Sequence, residues 1–583
     1  MAKIDPITLE IIRNGFIAGA DEMKINLMRT SYNPIIYEVL DFSVGLFDRD
    51  GNMISQASGL PIFLGNLGAA IKTVIQDVGR ENIEPGDVYL INDTYTTGTH
   101  LNDMTVISPV FLPDGYLIGF TASRAHWLDV GSKDPGGWSS DTTEIYQEGI
   151  RLRSVSLYKG GKLNKSVMDI LSTNVRMPDS VLGDLRAQIA AGRTGERRFL
   201  EIVDKFGREA VEAAVEEMLR QGELVARQAV KNMPDGVYTA EAFLDDDGIA
   251  VKNPKVKVTI TISGDEMTID LTGSAEQCVG PINCGIAATI SACRVAFKCV
   301  TSPFEPVNEG HFAPLKVVAP ENCMFNAKPP APSGLYGLPL ITLCDVIFKA
   351  LAPAIPDKIP AAHYGDVCAV FIFGTDPRTG KPYLHVEPEG GGWGACPHRD
   401  GENVLIAIAD GDTRNIPVEV IEKRYPLRVE RYELRQDSGG PGRYRGGLGH
   451  YRDYRVLGHN PRLTTTQERS QCPPWGINGG KPGAYNTVVI NPGTEKEKIV
   501  QKATALQLYD GDLISIRTGG GGGYGDPLDR EPELVRQDVV RGYVSIKAAF
   551  EDYGVVIDPE TLEIDYARTA EERKKRRETK VEA

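Results

Sequence analysis

Two apolar runs, Thr105 to Leu112 and Tyr116 to Ala122, flank Pro113-Asp114-Gly115. An Asp-Gly pair between strand-like runs is the strongest short-range hairpin signal a sequence carries. With Asp114 and Gly115 as a two-residue loop, Pro113 faces Tyr116, and ten residues further out along the arms Asp103 faces His126. Directly opposed residues have Cβ atoms roughly 4.5–5.5 Å apart. His100, three residues before Asp103, lies where the chain leaves the ladder and can fold back over the pair. Taken singly, either His could be an ordinary solvated or hydrogen-bonded side chain. The chain holds only eight His, however, and two fall beside this one hairpin end. Two imidazoles and a carboxylate there form a candidate metal site, of a ligand type suited to Zn²⁺, Mn²⁺ or Fe²⁺.

A chain of 583 residues exceeds one ordinary core, so several domains are expected. Its 41% hydrophobic and 25% charged content is that of a globular protein in water. A formal net charge of −15 argues against a general nucleic-acid role, which needs a basic face. The basic run Arg573 to Arg577 sits in a polar, Glu-rich tail and reads as a solvated helix end. No leader-like start and no run of about 18 apolar residues is present. The nine Cys begin at Cys278 and include no C-x-x-C pair, as expected of reduced thiols. A cytoplasmic protein with neither membrane nor nucleic-acid partner is the expectation.

The fold class read from the patterning is α+β and multi-domain, with mixed sheets, packed helices and a β-rich, glycine-punctuated C-terminal half. Residues 1–165 are expected to form an α+β domain holding the metal site, and 166–235 a helical segment broken at Gly192 to Gly195. A central α+β domain over 236–365 precedes a β-rich domain over 366–530. Residues 531–583 close the chain with an amphipathic helix from Leu534 to Ala549 and the charged tail. Asp41 falls at the start of a strand-like run, an unusual place for an acid.

Three glycine clusters resemble phosphate loops only superficially. Gly519 to Gly525 lacks the Gly-Lys-Ser/Thr ending and is not followed directly by a suitable helix, Gly374 to Lys381 runs into Pro382, and Glu387 to Gly394 is a third such cluster. Close backbone approach or positive φ is the expected use of these glycines. No Gly-x-Ser-x-Gly elbow or recognisable catalytic Cys is present either.

Several ordered motifs carry a resemblance to a known family. They include Gly98-Thr99-His100-Leu101-Asn102-Asp103, His126-Trp127-Leu128-Asp129-Val130-Gly131, Glu144 to Gly149, Gly439 to Gly449 and Pro473-Pro474-Trp475-Gly476. The chain resembles, over essentially its whole length, the hydantoinase B/5-oxoprolinase family, the partner subunits of ATP-dependent cyclic-amide hydrolases and of acetone and acetophenone carboxylases. The resemblance implies a separate hydantoinase A-type ATPase subunit, in an α2β2-like heteromer, that uses ATP to phosphorylate the oxygen of a small-molecule substrate. This chain would then perform the second step at one divalent metal, Zn or Mn ahead of Fe, held by Asp41, His100, Asp103 and His126. Two departures bear on pocket shape: Thr94 and Thr97 replace the family's Pro and Gly before the His loop, and Ser132 replaces a Gly.

Around those ligands, Asp129 is a candidate to orient a ligand imidazole or act as base, and Glu148 a candidate acid or base. Trp127 is a candidate pocket wall for substrate. Hydrolysis of a hydantoin, lactam or oxoproline is the first expectation for function. A ketone-carboxylase subunit and a non-catalytic scaffold are the alternatives.

Overall fold

A computed structural model describes residues 4–582, and among them twenty strands form four sheets. The first sheet has the order β2-β1-β5-β4-β3-β6-β7. Its strands are β1 (Phe42–Asp48), β2 (Met53–Gln56), β3 (Val88–Ile91), β4 (Asp103–Phe111), β5 (Leu117–His126), β6 (Val155–Lys159) and β7 (Lys162–Leu163), every pair antiparallel.

The β4–β5 ladder does pair Asp103 with His126, but not through the expected two-residue turn. Leu112 closes on Tyr116 through a 2.9 Å backbone hydrogen bond, so the loop has three residues, with Gly115 at φ 84°. That choice slips the register by one and pairs Phe111 with Leu117. A bulge at Ile118 slips it back, so that Val110 meets Gly119 and the ladder then runs true to Asp103. Three-residue hairpins of this kind characteristically carry an αL glycine and a bulge.

On its other edge β5 pairs with β1, Ala125 opposite Phe42. One step further the His126 N–H donates to the Asp41 carbonyl at 3.1 Å. Three neighbouring strands therefore end in one row, Asp41 beside His126 beside Asp103.

Side-chain alternation divides the sheet's two faces. Phe42, Val44 and Leu46 join the core beneath the helices Pro6–Thr30 and Pro178–Phe206, whereas Phe47, Phe120 and Ala122 join a larger core with the helix Pro61–Val78. That larger core runs continuously from Ile35 to Ala409 and takes in the helices Ile286–Thr301 and Gly337–Leu351. It also takes in the second sheet, β8 (Gly236–Phe243), β9 (Lys255–Ser263), β10 (Glu266–Asp270) and β11 (Leu315–Val318).

Two helix readings need correction. The helix Pro178–Phe206 passes unbroken through Gly192 and Gly195, and the stop lies instead at Gly207, φ 82°. A Cβ on Gly195 would sit 2.4 Å from Met23 Sδ, so this glycine permits helix-to-helix approach rather than a break. The expected single helix Leu534 to Ala549 is two, Pro532–Val540 and Ile546–Tyr553, parted near Gly542 at φ 74°.

The C-terminal half holds the other two sheets. One comprises β12 (Val370–Thr375), β13 (Pro382–Glu387), β16 (Arg462–Thr466) and β19 (Lys502–Gln507). The other comprises β14 (Leu427–Leu434), β15 (His450–Val456), β17 (Thr487–Ile490), β18 (Lys498–Val500) and β20 (Leu513–Arg517). The glycine clusters pack backbone on backbone: the Gly440 N–H donates to the Gly521 carbonyl at 2.8 Å, and the Gly521 N–H donates to the Gly447 carbonyl at 3.0 Å. A Cβ on Gly521 would lie 2.0 Å from the Trp393 carbonyl oxygen, so close approach, not positive φ, requires this glycine. No helix of the described residues is long and apolar enough to cross a membrane.

Candidate metal centre

Between β3 and β4 the chain makes one helical turn, Thr94–Thr97, then Gly98 at φ 92°. A Cβ there would meet the Ala288 nitrogen at 2.1 Å, so the loop is seated directly on the start of the helix Ile286–Thr301. Thr97 donates its hydroxyl to the Asp93 carbonyl at 3.0 Å. Ser132 likewise donates to the Asp134 carbonyl at 2.5 Å. Asn102 donates to the carbonyls of Trp127 and Gly136 at 2.8 and 3.0 Å, tying the His100 loop to the segment after β5.

This frame brings His100, Asp103 and His126 together, all buried, with one ligand atom from each inside a 4.8 Å span. His100 Nε2 lies 2.9 Å from Asp103 Oδ1 and 3.1 Å from His126 Nδ1, and that nitrogen is 3.4 Å from Asp103 Oδ1. Asp41 Oδ2 stands 3.8 Å from His126 Nδ1, its side chain 22% exposed. Donors held at roughly 2.0–2.1 Å around a tetrahedral ion would be about 3.3 Å apart, close to the 2.9, 3.1 and 3.4 Å among His100, Asp103 and His126, with Asp41 standing outside that compact group. Two buried atoms at the cluster, His126 Nε2 and Asp41 Oδ1, have no hydrogen-bond partner. The spacing of His100, Asp103 and His126 fits a divalent ion.

The orientation of His100 fits as well. Its Nδ1 is 3.3 Å from the Gly334 carbonyl, which can only accept, so Nδ1 carries a proton, and Nε2, which faces the Asp103 carboxylate at 2.9 Å, would become the ligand atom once an ion displaces its proton. Tyr336 donates to Asp103 Oδ2 at 3.2 Å. Burial opposes ionisation of Asp103, but the His100 and His126 imidazoles override it and hold the carboxyl below the usual range. Burial and then the charge of Asp103 push Asp41 well above that range. Burial keeps His126 below its ordinary value, and His100 is raised because Asp103 outweighs the same burial.

A small cavity opens over the cluster, about 640 Å³ of space not filled by atoms when the open solvent at its mouth is included. Its polar members are Asp41, His100, His126, Tyr336, Asp410 and Thr413, and the other lining residues are apolar or glycine. Trp138 stands edge-on to His100, centroids 5.5 Å apart, and stacks on Phe371 at 5.4 Å.

The remaining expected residues fall elsewhere. Trp127 is not a cavity wall. It is one residue past His126, so it projects to the opposite face, fully buried with Leu90 and Met104, and donates to Gln188 Oε1 at 2.8 Å. The indole at the cavity is that of Trp138. Asp129 does not bond either imidazole; its carboxylate takes the Arg176 guanidinium at 2.8 Å and the Arg176 backbone N–H. Glu148 does not line the cavity either. It is buried, accepts the N–H groups of Ser333 and Gly334 and the Thr142 hydroxyl at 2.9–3.1 Å, and is pushed up to about 7 by burial.

Sequence reasoning missed Trp138, Tyr336, Phe371 and Asp410. Only Trp138 had a usable signal, as the next Trp after the His126 motif. The others come from segments with no spacing relation to the hairpin.

A family model described as hydantoinase B/oxoprolinase matches residues 5–527. The caprolactamase subunit beta of Pseudomonas jessenii is 33% identical over 578 residues, covering 96% of this chain and 97% of that protein. The crystal structure of the ATP-dependent caprolactamase from Pseudomonas jessenii matches at a TM-score of 0.92 and 30% identity, covering 98% of this chain and 100% of that one. A nucleotide-free acetone carboxylase structure matches at a TM-score of 0.90 with 22% identity, over 99% of this chain and 83% of the other, and shares the fold alone.

Proposed function

The chain belongs to the hydantoinase B/oxoprolinase family, and we propose that it is the metal-dependent subunit of an ATP-dependent cyclic-amide hydrolase. In this reading a separate A-type ATPase subunit phosphorylates the amide oxygen; at this chain water adds to the activated carbon, the ring C–N bond breaks and inorganic phosphate leaves. The observation that carries the reading is the row Asp41, His126 and Asp103 on three adjacent strand ends, with His100 folded over it at the floor of a cavity.

Those four residues would hold a divalent ion, Zn²⁺ or Mn²⁺. When bound, such an ion lowers the pKa of a coordinated water toward ~7 and so supplies hydroxide at neutral pH. The chain's own residues do the rest. Glu148 fixes the Ser333–Gly334 turn, and the Gly334 carbonyl fixes the His100 tautomer. Tyr336 orients Asp103, and Trp138 with Phe371 walls the ring pocket against bulk water. Asp410 has one buried oxygen without a partner, and burial with the neighbouring Asp41 pushes its carboxyl well above the usual range. It is the group suited to give a proton to the departing ring nitrogen as the C–N bond breaks.

The test is ATP-dependent release of an ω-amino acid from a lactam by the chain co-purified with its ATPase partner. Turnover abolished by His126→Ala supports the reading. Full turnover in that variant makes this chain a scaffold and overturns it.

A further inference from the structure

Arg124 stands one step deeper in the sheet than the metal cluster. It lies two residues before His126 on the same face of β5, and it pairs with Thr105 as His126 pairs with Asp103. The side chain is fully buried. Its Nε donates to the Thr105 hydroxyl at 2.7 Å, its Nη1 donates to Asn66 Oδ1, and its guanidinium carbon lies 5.7 Å from the centroid of the Phe63 ring. The remaining nitrogen, Nη2, and the Asn66 amide nitrogen are buried without a hydrogen-bond partner.

A fully buried Arg is ordinarily paired, and a buried donor ordinarily has an acceptor. Here two neighbouring donors lack one, and the acceptors that Arg124 does have, Thr105 and Asn66, are neutral. The carboxylate whose charge acts on it is that of Asp103, which is already bonded to His100 and Tyr336. With a divalent ion in the cluster, Asp41 and Asp103 would balance that ion, and the guanidinium would remain the uncompensated charge on this face.

Asn66 is one turn beyond Phe63 on the same face of the helix Pro61–Val78, and Phe63 belongs to the cavity lining. The two donors therefore continue the cavity inward by one layer, and the Phe63 ring is the group that must turn aside for a ligand to reach them. Two residues of antiparallel strand span roughly 6.8 Å. A substrate with its carbon at the metal cluster and a phosphoryl group on its oxygen would place the two on neighbouring steps of this face.

We propose that Arg124 and Asn66 form an oxyanion site that holds the phosphoryl group of the activated substrate and, after the ring opens, the departing inorganic phosphate. The proposal rests on the cyclic-amide hydrolase reading above. Phosphoryl oxygens are the acceptors that both nitrogens lack, and a guanidinium binds them more strongly than a neutral donor does. A ring carboxylate shares that chemistry, and the test separates the two.

Inorganic phosphate is titrated by calorimetry into the full-length chain loaded with Zn²⁺ and freed of excess ion, with sodium acetate as the carboxylate control. The wild type is expected to bind phosphate in preference to acetate. Asn66→Asp supplies the carboxylate that Arg124 lacks, so phosphate should bind at least about tenfold more weakly while the melting temperature does not fall. Arg124→Gln, which removes the charge and keeps an amide donor, is the second variant and should show the same loss.

Phosphate held by the ion alone would bind a folded Asn66→Asp or Arg124→Gln chain as tightly as the wild type. That result, no phosphate binding by the wild type, or a preference for acetate overturns the proposal and leaves the hydrolase reading intact. Phosphate binding that Asn66→Asp weakens, in a chain whose complex with the ATPase partner turns over no lactam, removes the hydrolase reading and the phosphoryl assignment with it.

Discussion

Glu148 and His100 act on opposite sides of one residue: Glu148 accepts the Gly334 N–H at 2.9 Å, and the Gly334 carbonyl faces His100 Nδ1 at 3.3 Å. The carboxylate never touches the imidazole, yet it sets the carbonyl that fixes the ring. Glu148→Ala leaves two buried N–H groups unpaired, at about 1–3 kcal/mol each, and should weaken metal binding by roughly 10–100-fold. Glu148→Gln, which keeps an acceptor, should lose much less. Competition with a chromophoric chelator checks this. A lowered melting temperature with unchanged metal affinity would make Glu148 merely structural.

Asp410→Asn removes the proton but keeps the shape. The expected result is a fall in kcat of roughly 10²–10⁴-fold with metal content unchanged, the signature of a lost general acid. Metal content and kcat measured on the same preparation decide it. Loss of the metal would instead place Asp410 among the ligands.

Asp184 ties the segment leading to Asp41 onto the helix Pro178–Phe206, accepting the N–H groups of Tyr32 and Asn33 at 2.7 and 3.2 Å. Burial pushes its carboxyl up to about 6. A raised folded-state value means the native chain binds this proton more tightly than the unfolded chain, whose Asp titrates near 3.9. The resulting stability is present below about pH 4 and is lost as pH rises through about 6. Relative to Asp184→Asn, the wild type should lose up to roughly 3 kcal/mol over that window and none above it. Denaturant midpoints at pH 4, 5, 6 and 7 test the sign; a gap that widens in favour of the wild type contradicts it.

How much of this was legible follows from range along the chain. The Asp103–His126 pairing is a local consequence of one hairpin, and it survived a wrong turn type because the bulge at Ile118 cancels the extra loop residue. Asp41 depends on β1 joining β5 across more than seventy residues of chain, and no local pattern reports that pairing. The exchange of Trp127 for Trp138 is different. Strand alternation puts the residue after a ligand on the opposite face, a signal present in the sequence and not applied. The glycines mislead in the other direction: Gly195 reads as a helix break because its effect lies in what packs against it, Met23.

The same distinction gives a stability test. Gly521→Ala puts a methyl 2.0 Å from a backbone oxygen, with backbone on every side, and is expected to abolish soluble expression. Gly115→Ala meets no atom within 4 Å and strains only φ, a cost of roughly 1–2 kcal/mol. Soluble yield and melting temperature of the two variants separate packing from backbone strain, and a stable, soluble Gly521→Ala contradicts the packing account.

The most direct measurement is elemental analysis of the purified chain beside His100→Ala and His126→Ala, all prepared without chelator. The account predicts about one equivalent of Zn or Mn in the wild type, since the four donors make a single first-row site, and its loss in both variants. A wild-type chain that holds no metal, even after incubation with Zn²⁺ or Mn²⁺ in complex with its ATPase partner, contradicts it.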